Sequence, residues 1–175
     1  ITRTSVRSYQ DKPVEDSKYE KLLPPGMAAP SAANIQPWHF IVVKNKATLQ
    51  KIAEITPNAR MAKEAPLAIV VCGDMRNESN DLVREFWVQD ASAATQNILL
   101  AAHAMELGAV WTGTYPAQNR CEAISQLLNL PSSIIPFSTI VIGYPKETQQ
   151  PKDKWKEENI SYEVFGEEVR TKENN

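Results

Sequence analysis

The chain has 175 residues, 42% of them hydrophobic and 23% charged, with a formal charge of −2 at pH 7. That length and apolar fraction fit one domain, residues 1–175, with a real core, and the slightly acidic balance argues against a general nucleic-acid binder. Two cysteines, Cys72 and Cys121, and two histidines, His39 and His103, lack ligand spacing, so neither a disulfide framework nor a metal site is expected.

No stretch approaches the roughly 20 apolar residues that span a bilayer, and no signal-peptide pattern is visible. A cytoplasmic location is expected, while the start at Ile1 instead of Met fits processing or trimming at that end.

Residues 14–23 pattern as a short helix with Tyr19, Leu22 and Leu23 inward, and Pro24-Pro25-Gly26 is expected to stop it. Residues 29–38, Ala-Pro-Ser-Ala-Ala-Asn-Ile-Gln-Pro-Trp, carry no charge. Small side chains leave room for a flat polar ligand, prolines hold the path, and Asn34 and Gln36 each offer a donor and an acceptor. If the segment is extended, Asn34, Gln36 and Trp38 point to one side. On composition alone an ordinary structured loop is the simpler reading. A strand follows at 39–44, a small amphipathic helix at 46–55, and a strand buried on both faces at 67–72.

Residues 81–107 hold the longest helical pattern, its second half rich in small residues. A buried central helix and a helix shared with a dimer interface both fit. Gly108 is expected to end it. Residues 110–114 read as a strand, and 119–128 as a helix capped by Asn119 with Glu122 three residues on. Residues 134–142 read as a strand interrupted near its start by Pro136. The polar stretch 146–175 fits an arm around a partner subunit or a disordered tail. Strands alternating with helices predict an α/β or α+β domain with about four strands.

Three segments could carry chemistry. Arg3-Thr4-Ser5-Val6-Arg7 gathers two guanidiniums and two hydroxyls, a donor set suited to phosphate. Lys152 and Lys154 would share one side of an extended segment. Trp111-Thr112-Gly113 ends a strand where a ligand could approach the backbone. Taken singly, a solvated basic patch, a polar tail and a strand-to-loop junction explain each of them. No dinucleotide fingerprint, phosphate-binding P-loop, nucleophile elbow or Cys–His dyad is present, so catalysis would fall to a cofactor.

In combination these segments resemble one family. Arg3-Thr4-Ser5-Val6-Arg7-Ser8-Tyr9, the loop Ala29 to Phe40, Gly108-Ala109-Val110-Trp111-Thr112-Gly113, Ile142-Gly143-Tyr144-Pro145 and Pro151-Lys152-Asp153-Lys154-Trp155 occur in that order, as in the FMN-dependent nitroreductases. The resemblance implies an α+β fold with a mostly antiparallel sheet flanked by helices. It also implies an intertwined homodimer with an FMN at the interface touched by both chains. Arg3 and Ser5 would hold the phosphate and ribityl end, with Thr4 between them among the cofactor-binding residues, and Lys152 and Lys154 would return to the phosphate. Arg7 would face the N1/O2 edge, where reduced flavin carries negative charge. Asn34 would bond the pyrimidine edge, with Pro30, Ser31 and Gln36 shaping that pocket. Trp111, Thr112 and Gly113 would lie along the ring with a backbone N–H near N5.

The implied activity is ping-pong transfer of hydride from NADH or NADPH to a nitroaromatic or quinone-type acceptor. A dehalogenase-like or flavin-consuming relative and a flavin-binding sensor or storage protein are the alternatives. The family's helix ahead of the Arg-x-Ser motif has no counterpart here, and Pro24-Pro25 is unusual at its place.

Overall fold

The computed structural model describes residues 2–76 and 80–166. Among these, β1 (Trp38–Val43), β2 (Leu67–Asp74), β3 (Gly108–Gly113) and β4 (Ile134–Gly143) form one sheet in the order β1-β2-β4-β3, every neighbouring pair antiparallel. The antiparallel α+β architecture implied by the family resemblance is the one observed. The inner strands β2 and β4 are buried almost end to end, as strands covered on both faces are; β2 does so with a nearly continuous apolar run, whereas β4 also buries Ser138 and Thr139. Pro136 lies within β4 and does not interrupt it. The register against β2 shifts between Val71 and Cys72, and this irregularity accommodates the residue that cannot donate.

Helices α3 (Lys46–Ile55) and α6 (Gln118–Leu128) cover one face, where Leu49, Ile52 and Ile124 join Val70, Val110 and Val141. The other face carries α5 (Trp87–Ala104), whose Ile98, Leu99 and Ala102 pack with Ile69, Val71 and Ile140. Ahead of α3, the Asn45 side chain accepts from Thr48 N–H at 3.0 Å, which starts that helix at its expected place.

Four local expectations are corrected. Pro24-Pro25-Gly26 does not stop the first helix. The chain stays helical through α1 (Asp16–Tyr19), a 3-10 turn and α2 (Leu23–Met27), with the prolines at early positions where N–H groups have no intrahelical partner. Gly26 is retained for contact, since a Cβ there would lie 2.9 Å from Ile98 Cδ1.

The long pattern at 81–107 is divided into α4 (Asp81–Glu85) and α5, with Phe86 between them. Burial begins at Trp87, whose ring meets Tyr115 and Phe137 edge-on at 4.8 and 6.0 Å, whereas α4 buries nothing. Glu106, not Gly108, makes the turn after α5. It adopts φ 61°, and Leu107 N–H reaches back to Ala102 O at 2.8 Å. Gly108 opens β3, where a Cβ would strike Val6 at 2.6 Å. Asn119 lies inside α6, and Ala117 takes the cap position without a side-chain bond.

Among the described residues, no helix is long and apolar enough to cross a membrane, and no group of three His, Cys, Asp or Glu is placed to hold a metal.

Candidate functional site

The basic motif lies against the outer edge of β3. Ser5 forms a parallel bridge with Ala109, and Val6 N–H donates to Ala109 O at 3.1 Å. Further on, Tyr9 bridges Pro145, and its hydroxyl proton is shared between Val6 O at 2.7 Å and Val141 O at 3.0 Å. Buried Val6 and Tyr9 hold the segment down, while Ser5 and Arg7 stay exposed and Arg3 and Thr4 half-buried.

A carbonyl and N–H of one strand residue face the same neighbour, and the sides alternate every residue. Because Ala109 O faces off the sheet toward Val6, the N–H groups of Trp111 and Gly113 face off that edge too. Gly113 O accordingly meets Arg120 Nη1 at 3.4 Å. Gly113 is exposed, and a Cβ on it would meet only Tyr115 O, at 3.9 Å. The Trp111 ring rests on Phe137, 5.6 Å between centroids. Thr112 is buried and donates its hydroxyl to Thr139 O at 2.8 Å, so its side chain is committed to the sheet.

The loop at 29–38 is not extended, so the shared side predicted for Asn34, Gln36 and Trp38 does not arise from strand alternation. Ala32–Asn34 form a 3-10 turn, and Ala33, Asn34 and Gln36 have φ of 48°, 55° and 55°. Internal bonds shape it. Gln36 N–H donates to Ser31 Oγ at 2.9 Å, and Gln36 Nε2 to Asn34 Oδ1 at 3.2 Å. Pro30, Asn34 and Gln36 are exposed and Ser31 half-buried.

Sequence reasoning missed Asp90, in the first turn of α5. This carboxylate is 6% exposed and accepts Ala32 N–H on Oδ1 at 3.1 Å. Its Oδ2 is buried without a hydrogen-bond partner. Burial raises its pKa, and the Ala32 N–H partly offsets the rise. The available signal was a lone acid just ahead of the small-residue stretch Ala91-Ser92-Ala93-Ala94.

Helix α5 also measures the separation of the two halves of the predicted site. Asp90 holds the loop, and His103 Nε2 lies 2.9 Å from Thr2 Oγ1 at the head of the basic motif. Thirteen residues separate Asp90 from His103, roughly 20 Å at a rise of about 1.5 Å per residue. Arg7 lies farther along the motif, toward Pro145. Within one chain, the head of the basic motif at Thr2 and the loop at Ala32 are thus tied to points about 20 Å apart on α5. Lys152 and Lys154 are exposed in a segment without regular structure. A groove of about 820 Å³ beside Tyr9, Lys12, Lys63 and Lys146 shares no residue with the predicted set.

The sequence profile of the Nitroreductase family matches residues 1–59 and 56–144. A protein of Methanothermobacter thermautotrophicus, provisionally named an NADH dehydrogenase/NAD(P)H nitroreductase, is 48% identical over 164 residues, covering 94% of this chain and 84% of its own. A crystal structure from Parabacteroides distasonis, with the same provisional name, superposes with a TM-score of 0.89 at 46% identity, covering 94% of this chain and 95% of that one. An FMN-dependent nitroreductase from Clostridium difficile superposes at 0.85 with 31% identity, covering 93% and 96%.

Proposed function

The chain belongs to the nitroreductase family, and from that premise we propose that it is an FMN-dependent oxidoreductase that draws electrons from NADH or NADPH and works as a homodimer. The observation that carries the reading is the pairing of Ser5 with Ala109. It ties the basic motif, through Ser5 and Val6, to the edge of β3 off which the Trp111 and Gly113 N–H groups also face.

That donor set fits FMN. The phosphate is an anion of nearly two charges, matched by the guanidinium forks and hydroxyls of Arg3, Thr4 and Ser5. Open space at Gly113 admits a flat ring against the backbone, where an outward N–H can donate to a ring nitrogen. Asn34, with its oxygen already accepting from Gln36, offers an oriented amide to a pyrimidine edge, flanked by Pro30 and Ser31.

Arg7 and Asn34 would serve neighbouring edges of one ring, yet within one chain Thr2 and Ala32 are tied to points of α5 about 20 Å apart. The loop of the partner subunit would therefore complete each pocket. The arm at 146–175 would bring Lys152 and Lys154 to the phosphate in the assembled dimer. FMN, when bound, supplies hydride and electron transfer between the nicotinamide and an acceptor of nitroaromatic or quinone type in ping-pong order. The protein binds, orients and excludes, and its cations favour negative charge on the ring.

Purified protein is expected to be yellow, to carry FMN, and to oxidise NAD(P)H only when menadione or a nitrofuran is present. Colourless protein that takes up no added FMN would overturn the reading. FMN uptake without turnover would reduce it to a flavin-binding protein.

A further inference from the structure

We propose that Asp90 is a positioning residue for the flavin loop: through Ala32 N–H it fixes the left-handed turn that presents Asn34 and Gln36. The inference deepens the flavin reading and rests on it.

Three observations converge on Asp90. The first is conformational. Ala33, Asn34 and Gln36 all sit at φ near +50°, a region that non-glycine residues occupy at a cost, most of all a residue such as Ala33 with no side-chain polar group to compensate. Three such residues within four positions do not hold themselves. The bonds from Gln36 to Ser31 and Asn34 close the turn internally, but they do not fasten it to the body of the protein.

The second is topological. The loop is fastened at its far end where Asp74 N–H, on β2, donates to Pro37 O at 3.1 Å. At its near end the Ala32 N–H bond to Asp90 fastens it to α5. The strained residues lie between these two anchors, and each anchor belongs to a regular element that the core immobilises.

The third is energetic. A carboxylate with one oxygen buried and unpartnered is costly to keep. An apolar residue would pack there without that cost, but it could not receive the Ala32 N–H. Asp90 commits Oδ1 to Ala32 N–H, so its influence on binding passes through the turn.

The test is a double-mutant cycle on Asp90→Ala and Ala32→Pro, since proline removes the donor without touching the carboxylate and Ser31 already has the extended backbone a following proline requires. FMN affinity is read from quenching of flavin fluorescence as FMN-depleted protein is titrated. Each single variant is expected to weaken binding roughly 10-fold, and the double variant no more than either single one. Asp90→Asn, which keeps an oxygen for Ala32 N–H, is expected to restore most of the affinity and serves if the alanine variant does not fold. Additive losses, or wild-type affinity in Asp90→Ala, would overturn the role.

Amide exchange of Ala32 is the second arm. It is read on FMN-free protein, so it decides the anchor whatever the flavin result. Exchange should be slow in the wild type and fast in Asp90→Ala, with β2 amides unchanged. Equal exchange at Ala32 in both proteins would overturn the anchor. Wild-type protein that takes up no FMN would remove the flavin reading, and with it the proposed role in binding.

Discussion

Arg3 is half-buried, and its guanidinium donates to Thr4 O at 3.2 Å. Among the described residues its other four N–H donors make no hydrogen bond, which leaves them for the proposed phosphate. Arg3→Ala should weaken FMN binding by about 1.5–3 kcal/mol, the range for bonds to charged groups, as measured by the same quenching titration. Unchanged affinity would remove Arg3 from the pocket. Cys72 makes a different residue-scale prediction. Burial pushes its thiol from an ordinary 9.0 up to about 12. Between those values the unfolded chain loses the proton first, so the native state binds more protons and stability falls as pH rises. Below pH 9 the group makes no such contribution. Urea midpoints should decline from about pH 9 upward, by at most about 1.4 kcal/mol per pH unit from this group. A thiol reagent at pH 8 should leave native Cys72 unmodified, and rapid labelling would show that its strand opens readily.

Ile98 joins the elements on the α5 face. It is fully buried, and its Cδ1 lies against the bare Cα of Gly26 in α2. Ile98→Ala should cost about 2–5 kcal/mol, read from denaturant unfolding at constant m-value. Less than 1 kcal/mol would mean that α2 collapses into the gap. Such interior positions were legible in the sequence, because apolar runs such as Leu67-Ala68-Ile69-Val70-Val71-Cys72 declare a buried strand wherever they occur. The antiparallel class, though, was legible only through the family resemblance. Element ends were less legible. Gly108 has the composition of a helix stop, yet its bare Cα serves contact with Val6, and Glu106 takes the left-handed turn at its own cost. Pro24 and Pro25 have the composition of a break, but their missing donors fall where a helix needs none. The proposed site residues stand out in the sequence as motifs. Their split between two ends of α5 does not, because it depends on where Thr2 and Ala32 are tied, and no local pattern reports that.

At the scale of the molecule, a pocket divided between two chains makes cofactor binding and association mutually dependent. FMN should shift the sedimentation equilibrium toward dimer, and dilution below the dimer constant should release FMN. Concentration-independent FMN affinity in a monomeric species would sink the two-chain pocket. Removing 146–175 should weaken both association and FMN retention, if the arm supplies Lys152 and Lys154. The segment carrying the basic motif also has a mechanical consequence. By lying along β3 it occupies part of an outermost strand whose free amides and carbonyls would otherwise template pairing with a foreign strand. A chain nicked within its first ten residues should therefore lose more than its cofactor. It should grow sticky, so that damage at this terminus would be detected first as turbidity and only afterwards as missing colour.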